Sequence, residues 1–382
     1  MKKSLQLLLA AVATVNAAGD LGGELDNSDN YAPYNYKTNG KDWGAIPVSK
    51  VAGNACAAKV PQSPIDLKNS WPTVSNLVDQ FSKVYTDQIK TPSKKVAGKE
   101  VGGGIEVDWN GHTSHININK VDQDIQTFYS HSANVNYKAP QRWNGVQFHF
   151  HAGSEHTVEG KRHDLEMHTV HLAHSGHGEV QRFEGYAAAA MGIMFSVNDA
   201  SRSFEDWEIK IIDEFFDGLA WTADKTNPKV DKVTYGKIMM MFDMQNRWTY
   251  KGSVTTPPCA TAVYWNVLKT VYPIKQKTLD QFNLQLAKKA GLEKTGNWRE
   301  IQPYMEGEKG HKALIVDSSI SNVGMLIAVI ILAIAVFVLL LVVMKLRGDM
   351  KKAGGAGATE MSAQVQPISG DSGYNSQVNE GK

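Results

Sequence analysis

From Val323 to Met344 the chain carries no charged residue. As a helix these 22 residues would reach roughly 33 Å, and the hydrocarbon core of a bilayer is about 30 Å thick. A stretch this long and this apolar belongs in lipid or in the centre of a large core, and its freedom from charge favours lipid. Lys345, Arg347, Lys351 and Lys352 follow at once, which places the C-terminal side in the cytoplasm. The tail after them is too long and too polar for a cleaved lipid-anchor signal. At the other end, Lys2 and Lys3 precede an apolar run from Leu5 to Val15 and the small residues Asn16-Ala17-Ala18. That order describes a secretory signal peptide, because the apolar run is too short to span. The expectation is a single-pass type I membrane protein, with its large N-terminal part extracellular or lumenal.

Residues 1–18 are therefore assigned to the signal peptide, 19–30 to a loose Gly- and Asp/Asn-rich segment and 31–305 to one folded domain. Residues 306–322 read as a polar stalk, 323–344 as the transmembrane helix and 345–382 as a disordered cytoplasmic tail, with too little apolar surface to fold. The 40 basic and 39 acidic residues nearly balance, and nothing points to a nucleic-acid partner. Oligomeric state is not legible. Inside the domain, polar–apolar alternation predicts strands at 104–109, 115–120, 146–151 and 166–172. The longer apolar run 187–197 suits a strand buried on both faces. Phe204, Trp207, Ile211, Phe215 and Leu219 recur at helical steps and predict one helix. The fold class is α+β and sheet-dominated. Cys56 and Cys259 are the two cysteines; in a secreted domain an even pair suggests a disulfide, with two buried thiols as the alternative. No Asn-x-Ser/Thr sequon occurs.

Histidine carries the chemical signal. His149 and His151 lie two apart in a strand-like run, so both imidazoles point to one face, and His168 lies in a second such run. Three neutral imidazoles on rigid strands, with a fourth position open, suit a catalytic rather than a structural zinc site. The spacing alone is suggestive only, since His-x-His also arises by chance in a chain with 12 histidines. His163, His171, His174 and His177 crowd the same region. They are read as surface or packing residues, with a metal-buffering run as the alternative.

Four segments, QSPIDL (62–67), NGH (110–112), QFHFHAGSEHTVEGKRHDLEMHTVH (147–171) and GSVTTPPC (252–259), resemble the signature segments of α-class carbonic anhydrases. NWRE (297–300) is similar to the family's closing segment, and the resemblance runs collinearly over about residues 34–303. It implies a central, twisted, mostly antiparallel sheet of about ten strands with short peripheral helices. It also implies reversible hydration of carbon dioxide to bicarbonate and a proton, by attack of zinc-bound hydroxide with a histidine proton shuttle.

Residue by residue, the resemblance makes His149, His151 and His168 the Zn2+ ligands, and Gln147, Glu166 and Asn297 the groups that hold those imidazoles. Thr255 and Glu155 become the pair that orients the attacking oxygen, and the Thr256 N–H the contact to bicarbonate and inhibitor anions. Val170, Ala190, Val254, Val263 and Trp265 become the apolar wall for carbon dioxide. His112 becomes the proton shuttle, with Tyr36, Asn110 and His115 on its water path. A Cys56–Cys259 disulfide is implied as well, and sulfonamides and anions are the implied inhibitors. His115 departs from the commoner amide, which leaves its role open. Ala190 is smaller than the usual valine, the link from His151 to Glu155 is short, and Trp43 lacks the usual preceding Gly-Pro. Two rivals are a zinc-free domain of the same fold used for binding and a different zinc hydrolase; no His-Glu-x-x-His motif supports the latter.

Overall fold

The sequence Gln-Phe-His-Phe-His at 147–151 places aromatic and polar side chains on opposite faces of a strand, and that strand is paired along both of its edges within the main sheet. The computed structural model describes residues 34–58, 61–75, 81–85, 89–90, 94–96, 99–101, 105–106, 108–109, 113–117, 126–130, 141–173, 188–223, 227–292, 294–304 and 313–357. The expected signal peptide, the loose segment 19–30, Asn110 and His112 lie outside these residues, as do His174, His177 and the tail after 357. The chain divides into two units, 1–321 and 322–382.

The first unit is built on a mixed sheet. In chain order its strands are β1 (Thr73–Ser75), β2 (Phe81–Tyr85), β3 (Asp108–Trp109), β4 (Ser114–Asn117), β5 (Gln126–Ser130), β6 (Gln141–His151), β7 (Leu165–Ala173), β8 (Ala188–Ser196), β9 (Arg247–Ser253), β10 (Thr261–Leu268), β11 (Tyr272–Pro273) and β12 (Leu314–Asp317). Along the main path the order is β1-β12-β9-β10-β8-β7-β6-β5-β2, with β4 also pairing β6, β3 pairing β4 and β11 pairing β8. The described sheet thus has twelve strands where about ten were expected, several of them only two or three residues long. Most pairings are antiparallel; β8 pairs β10 and β11 in parallel, and β1 pairs β12 likewise.

Two apolar clusters flank the sheet. Phe148, Phe150, Met167, Met191, Ile193 and Phe195 pack with Phe215, Phe216, Ile238 and Phe282. On the other face lie Ala188, Ala190, Met194, Tyr250, Val263 and Trp265. Strand β8 feeds both clusters and is buried along its whole length, as its unbroken apolar run predicts. Three helices accompany the sheet: α1 (Asp206–Gly218), α2 (Tyr235–Met241) and α3 (Gln276–Gln285). Helix α1 opens with a reciprocal capping box between Glu205 and Glu208. Its buried apolar side chains are Ile212, Phe215 and Phe216, while Trp207, expected on the apolar stripe, is 58% exposed. Glu208 is buried on the same face, bonded to Arg202 at 2.6 Å and to the Glu205 N–H, so the burial stripe is rotated from the one that spacing suggested.

Residues 314–317 correct the expected stalk. Leu314, Ile315 and Val316 are buried in β12, which pairs with both β9 and β1. The charged run just before them masked a short apolar strand whose edge partners come from distant segments. A long helix, α4 (Ser318–Gly357), follows. Its segment Leu326–Lys352 is long and apolar enough to cross a membrane, and its apolar side chains are exposed. The helix carries on through residues 345–357, which had been assigned to a disordered tail.

Candidate active site

Pairing of β6 with β7 sets His149 directly opposite His168, and His151 opposite Glu166. The three imidazoles face one another with ring centroids 5.0 Å apart for His149–His151, 5.2 Å for His149–His168 and 4.6 Å for His151–His168. Each offers one ring nitrogen, and these nitrogens lie within 4.8 Å of one another. His151 and His168 are buried and His149 is half-buried.

The remaining ring nitrogens are each held by a different kind of acceptor. His149 Nδ1 donates to Gln147 Oε1 at 2.8 Å, His151 Nδ1 to the Asn297 carbonyl at 2.6 Å and His168 Nε2 to Glu166 Oε1 at 3.0 Å. These contacts fix the tautomers, leaving lone pairs on His149 Nε2, His151 Nε2 and His168 Nδ1. Asn297 is itself clamped: its side chain accepts from the Ala152 N–H and donates to the Phe150 carbonyl. Strand β8 must come very close to Glu166, and glycine permits it; a Cβ at Gly192 would stand 2.5 Å from Glu166 Oε1.

Burial pushes the His151 imidazole down in pKa, towards the neutral form that a metal requires. Burial alone would push the Glu166 carboxyl up, yet His156 and His168 hold it well below its ordinary range. Two buried polar atoms lack a hydrogen-bond partner at the cluster, His151 Nε2 and Glu155 Oε2, 3.6 Å apart. Glu155 Oε2 is also 3.8 Å from His168 Nδ1. Orphaned buried atoms are costly, and here they converge beside three lone pairs. A four-coordinate zinc ion taking three imidazoles fits this donor set.

A cleft opens on the cluster. Its wall includes Val170, Ala190, Val254, Val263 and Trp265 on the apolar side, with Ala188 added, and Tyr36, Thr255 and Thr256 on the polar side. Sequence reading therefore placed in one cavity residues that span more than 200 positions. A register shift between Gly252 and Ser253 ends the regular pairing of β9 just before Val254 and Thr255. Glu155 Oε1 accepts the Arg299 N–H at 2.8 Å; no hydrogen bond between Glu155 and Thr255 is formed among the described contacts. His115 lies on β4 with its backbone opposite His149. His163 lies 3.5 Å from Asp199, and His171 is buried; neither joins a metal-holding group among the described residues.

Several contributors were not picked out by sequence. His156 bridges Glu166 Oε1 at 2.7 Å and the Tyr250 hydroxyl at 2.7 Å, and Tyr250 donates to Ser63 Oγ at 2.8 Å. His156, Glu166 and His168 form a second cluster, but both imidazoles spend a proton on Glu166, so it reads as support. Arg299 is buried and donates to the Ser63 and Cys56 carbonyls and to Gln62 Oε1. Gln62 in turn donates to the Cys259 carbonyl, and Cys56 is bonded to Cys259. Arg299 and His156 sit inside quoted motifs, which was the available signal. Tyr34, also at the cleft, had none.

The profile of the eukaryotic-type carbonic anhydrase family matches residues 42–308. The chain belongs to that family. Among curated relatives, alpha carbonic anhydrase 3 of Arabidopsis thaliana is 27% identical over 75% of this chain and 85% of its own length. Alpha carbonic anhydrase 4 of the same plant is 27% identical over 66% and 76%, and carbonic anhydrase 1 of Oryctolagus cuniculus 28% over 60% and 88%. The solved α-carbonic anhydrase of Thermovibrio ammonificans, in complex with sulfanilamide, aligns at 23% identity and a TM-score of 0.47, covering 70% of this chain and 92% of its own. This protein is a carbonic anhydrase enzyme with a sheet-dominated fold and a three-histidine cluster at its cleft.

Proposed function

We propose that this carbonic anhydrase is zinc-dependent, with His149, His151 and His168 as ligands, and that it interconverts carbon dioxide and bicarbonate on the extracytoplasmic side of a membrane. The observation that carries the reading is the meeting of three oriented lone pairs, one of them on the partnerless His151 Nε2, beside the partnerless Glu155 Oε2. When bound, a zinc ion supplies Lewis acidity that brings the ionisation of a water near neutral pH, a behaviour for which carbonic anhydrase is itself the standard example.

The chain's own residues do the rest. Gln147, Glu166 and Asn297 fix the tautomers of the three imidazoles and keep them aimed. Thr255 accepts a hydrogen bond from the attacking oxygen and so needs an acceptor for its own proton; Glu155, a carboxylate with a free buried oxygen, is the group suited to take it. Val170, Ala190, Val254, Val263 and Trp265 exclude water and hold the apolar substrate, and the Thr256 N–H steadies the product anion. His112 relays the released proton to buffer, along a path including Tyr36, Asn110 and His115. Sulfonamides and small anions are the expected inhibitors. The apolar helix with Lys345, Arg347, Lys351 and Lys352 after it, together with the signal-like N-terminus, supports a type I topology.

Stopped-flow hydration assays on the full chain in detergent test this, with zinc content measured alongside. Activity should vanish when a chelator strips zinc and return when zinc is restored. Full activity in zinc-free protein, or none in the zinc-loaded protein, would overturn the reading. Protease added to intact right-side-out cells or vesicles should reach the catalytic domain and spare the segment beyond Lys345; the reverse pattern would overturn the topology.

A further inference from the structure

Glu155 stands against the histidine cluster on a very short connection. Only Ala152, Gly153 and Ser154 separate it from His151, the last residue of β6. The start of this connection is pinned, since the Ala152 N–H donates to Asn297 Oδ1 at 2.8 Å and the Ala152 carbonyl accepts the Asn297 N–H at 3.1 Å. The carboxylate itself has one hold, the Arg299 N–H on Oε1 at 2.8 Å, while Oε2 is partnerless. A carboxylate held at one oxygen can pivot about that bond. Where Oε2 stands therefore depends on the main chain that carries it.

Arg162 grips that main chain. Its Nη1 donates to the Ser154 carbonyl and to the Glu155 carbonyl, the latter at 3.1 Å. Its guanidinium carbon lies over the Trp298 ring, 3.9 Å from the centroid. A guanidinium suits this place because it is planar, always charged and purely a donor, so it can stack on an indole while donating in its own plane. The stem runs equally close: a Cβ at Gly153 would stand 3.0 Å from Arg162 Cδ and 3.2 Å from Cγ. Trp298 lies between Asn297, whose carbonyl holds His151, and Arg299, whose N–H holds Glu155. Arg162 thus ties the connection to the same segment that aims a histidine and the carboxylate.

We propose that Arg162 is a positioning residue for Glu155: by clamping the Ser154 and Glu155 carbonyls against Trp298, it fixes where the carboxylate stands beside the histidine cluster. Its consequence for the reaction rests on the proposed role of Glu155; the clamp itself does not.

Full-length protein in detergent is compared as wild type, Arg162→Met, Glu155→Gln and the double variant, with Lys161→Met as a surface control. Methionine keeps an apolar stem and removes the donors and the plane. Amide exchange read by mass spectrometry should be roughly tenfold faster at the Arg299 N–H in Arg162→Met, the change expected of one weakened hydrogen bond, both before and after a chelator has stripped any metal. Lys161→Met should match the wild type. The second-order rate constant for carbon dioxide hydration, corrected for zinc content, should fall roughly tenfold in Arg162→Met. In the Glu155→Gln background the same change should cost no further rate, because the group it aims is already disabled. Unchanged exchange at Arg299, or rate losses that multiply in the double variant, would overturn the proposal. Should Arg162→Met not fold, Arg162→Lys is read in the same way: lysine keeps stem and charge but has no plane to lie on Trp298, and wild-type exchange and rate would overturn the proposal. If the wild type hydrates no carbon dioxide while Arg162→Met still speeds exchange at Arg299, the proposed function fails and the clamp stands.

Discussion

His151 Nδ1 lies 2.6 Å from the main-chain carbonyl of Asn297, a residue 146 positions further along the chain. A backbone carbonyl can only accept, so the proton is pinned on Nδ1 and the lone pair on Nε2. Replacing His151 with alanine should remove zinc binding and activity together, because two imidazoles cannot hold the ion as three do. A variant that kept one equivalent of zinc by elemental analysis, with normal turnover, would disprove the ligand assignment.

Close approach of β8 to Glu166 gives a test of the supporting shell without touching it. Gly192→Ala would place a methyl 2.5 Å from Glu166 Oε1 and displace the carboxylate from His168. Zinc affinity should fall roughly 10- to 100-fold, measured by competition with a chromophoric chelator. Gly218→Ala, where the added Cβ meets nothing within 4 Å, is the control and should keep wild-type affinity.

The Cys56–Cys259 bond closes a loop of sequence separation 203. On the chain-entropy account this stabilises the fold by up to roughly 5 kcal/mol. Cys259 also lies a few residues beyond Thr255 and Thr256, and Arg299 and Gln62 reach the two cysteine carbonyls. Reduction should therefore lower both the melting temperature and the hydration rate. Equal Tm and rate in the reduced and oxidised protein would refute this.

His112 is proposed as the proton relay. If the site works through a water held on zinc deep in a cleft, that water cannot reach bulky buffer, so a group titrating near neutral has to carry its proton outward. His112→Ala should slow turnover at saturating carbon dioxide and spare the second-order rate constant, with imidazole buffer restoring much of the loss. If both constants fell together, His112 would belong to the metal site or the scaffold. If neither fell, the double variant with His115→Ala should expose the defect.

Acid stability offers a separate test. Burial drives the His171 imidazole from 6.5 down to about 3, so the unfolded chain takes up its proton first as pH falls. Between those values the histidine costs stability at about 1.4 kcal/mol per pH unit, and above 6.5 it has no such effect. Thermal melts from pH 7 to pH 5 should show a shallower decline for His171→Gln than for wild type. Parallel curves would mean that His171 is already protonated or hydrated in the native protein.

Period-two alternation was enough to place His149, His151 and Gln147 on one face of β6, because in a strand facing direction follows from parity alone. The pairing of β6 with β7 was not contained in that pattern, and it is what brings His168 to the other two. Motif resemblance located Asn297, but only the fold shows that its carbonyl and its amide act in different places. Strand β12 escaped notice because it is a short apolar element whose strand partners are far away in sequence, and Tyr34 because it belongs to no motif. Trp207 misled because helical spacing specifies a stripe without saying which neighbours will cover it.

The brace on His151 and Glu155 is supplied by Asn297 and Arg299, near the end of the first unit. Synthesis runs from the N-terminus, so all three imidazoles leave the ribosome well before the residues that aim one of them and steady the carboxylate beside it. Throughout that interval His151 lacks the carbonyl that fixes its tautomer, so the geometry of the three-histidine cluster is completed only when the far end of the first unit folds back onto β6.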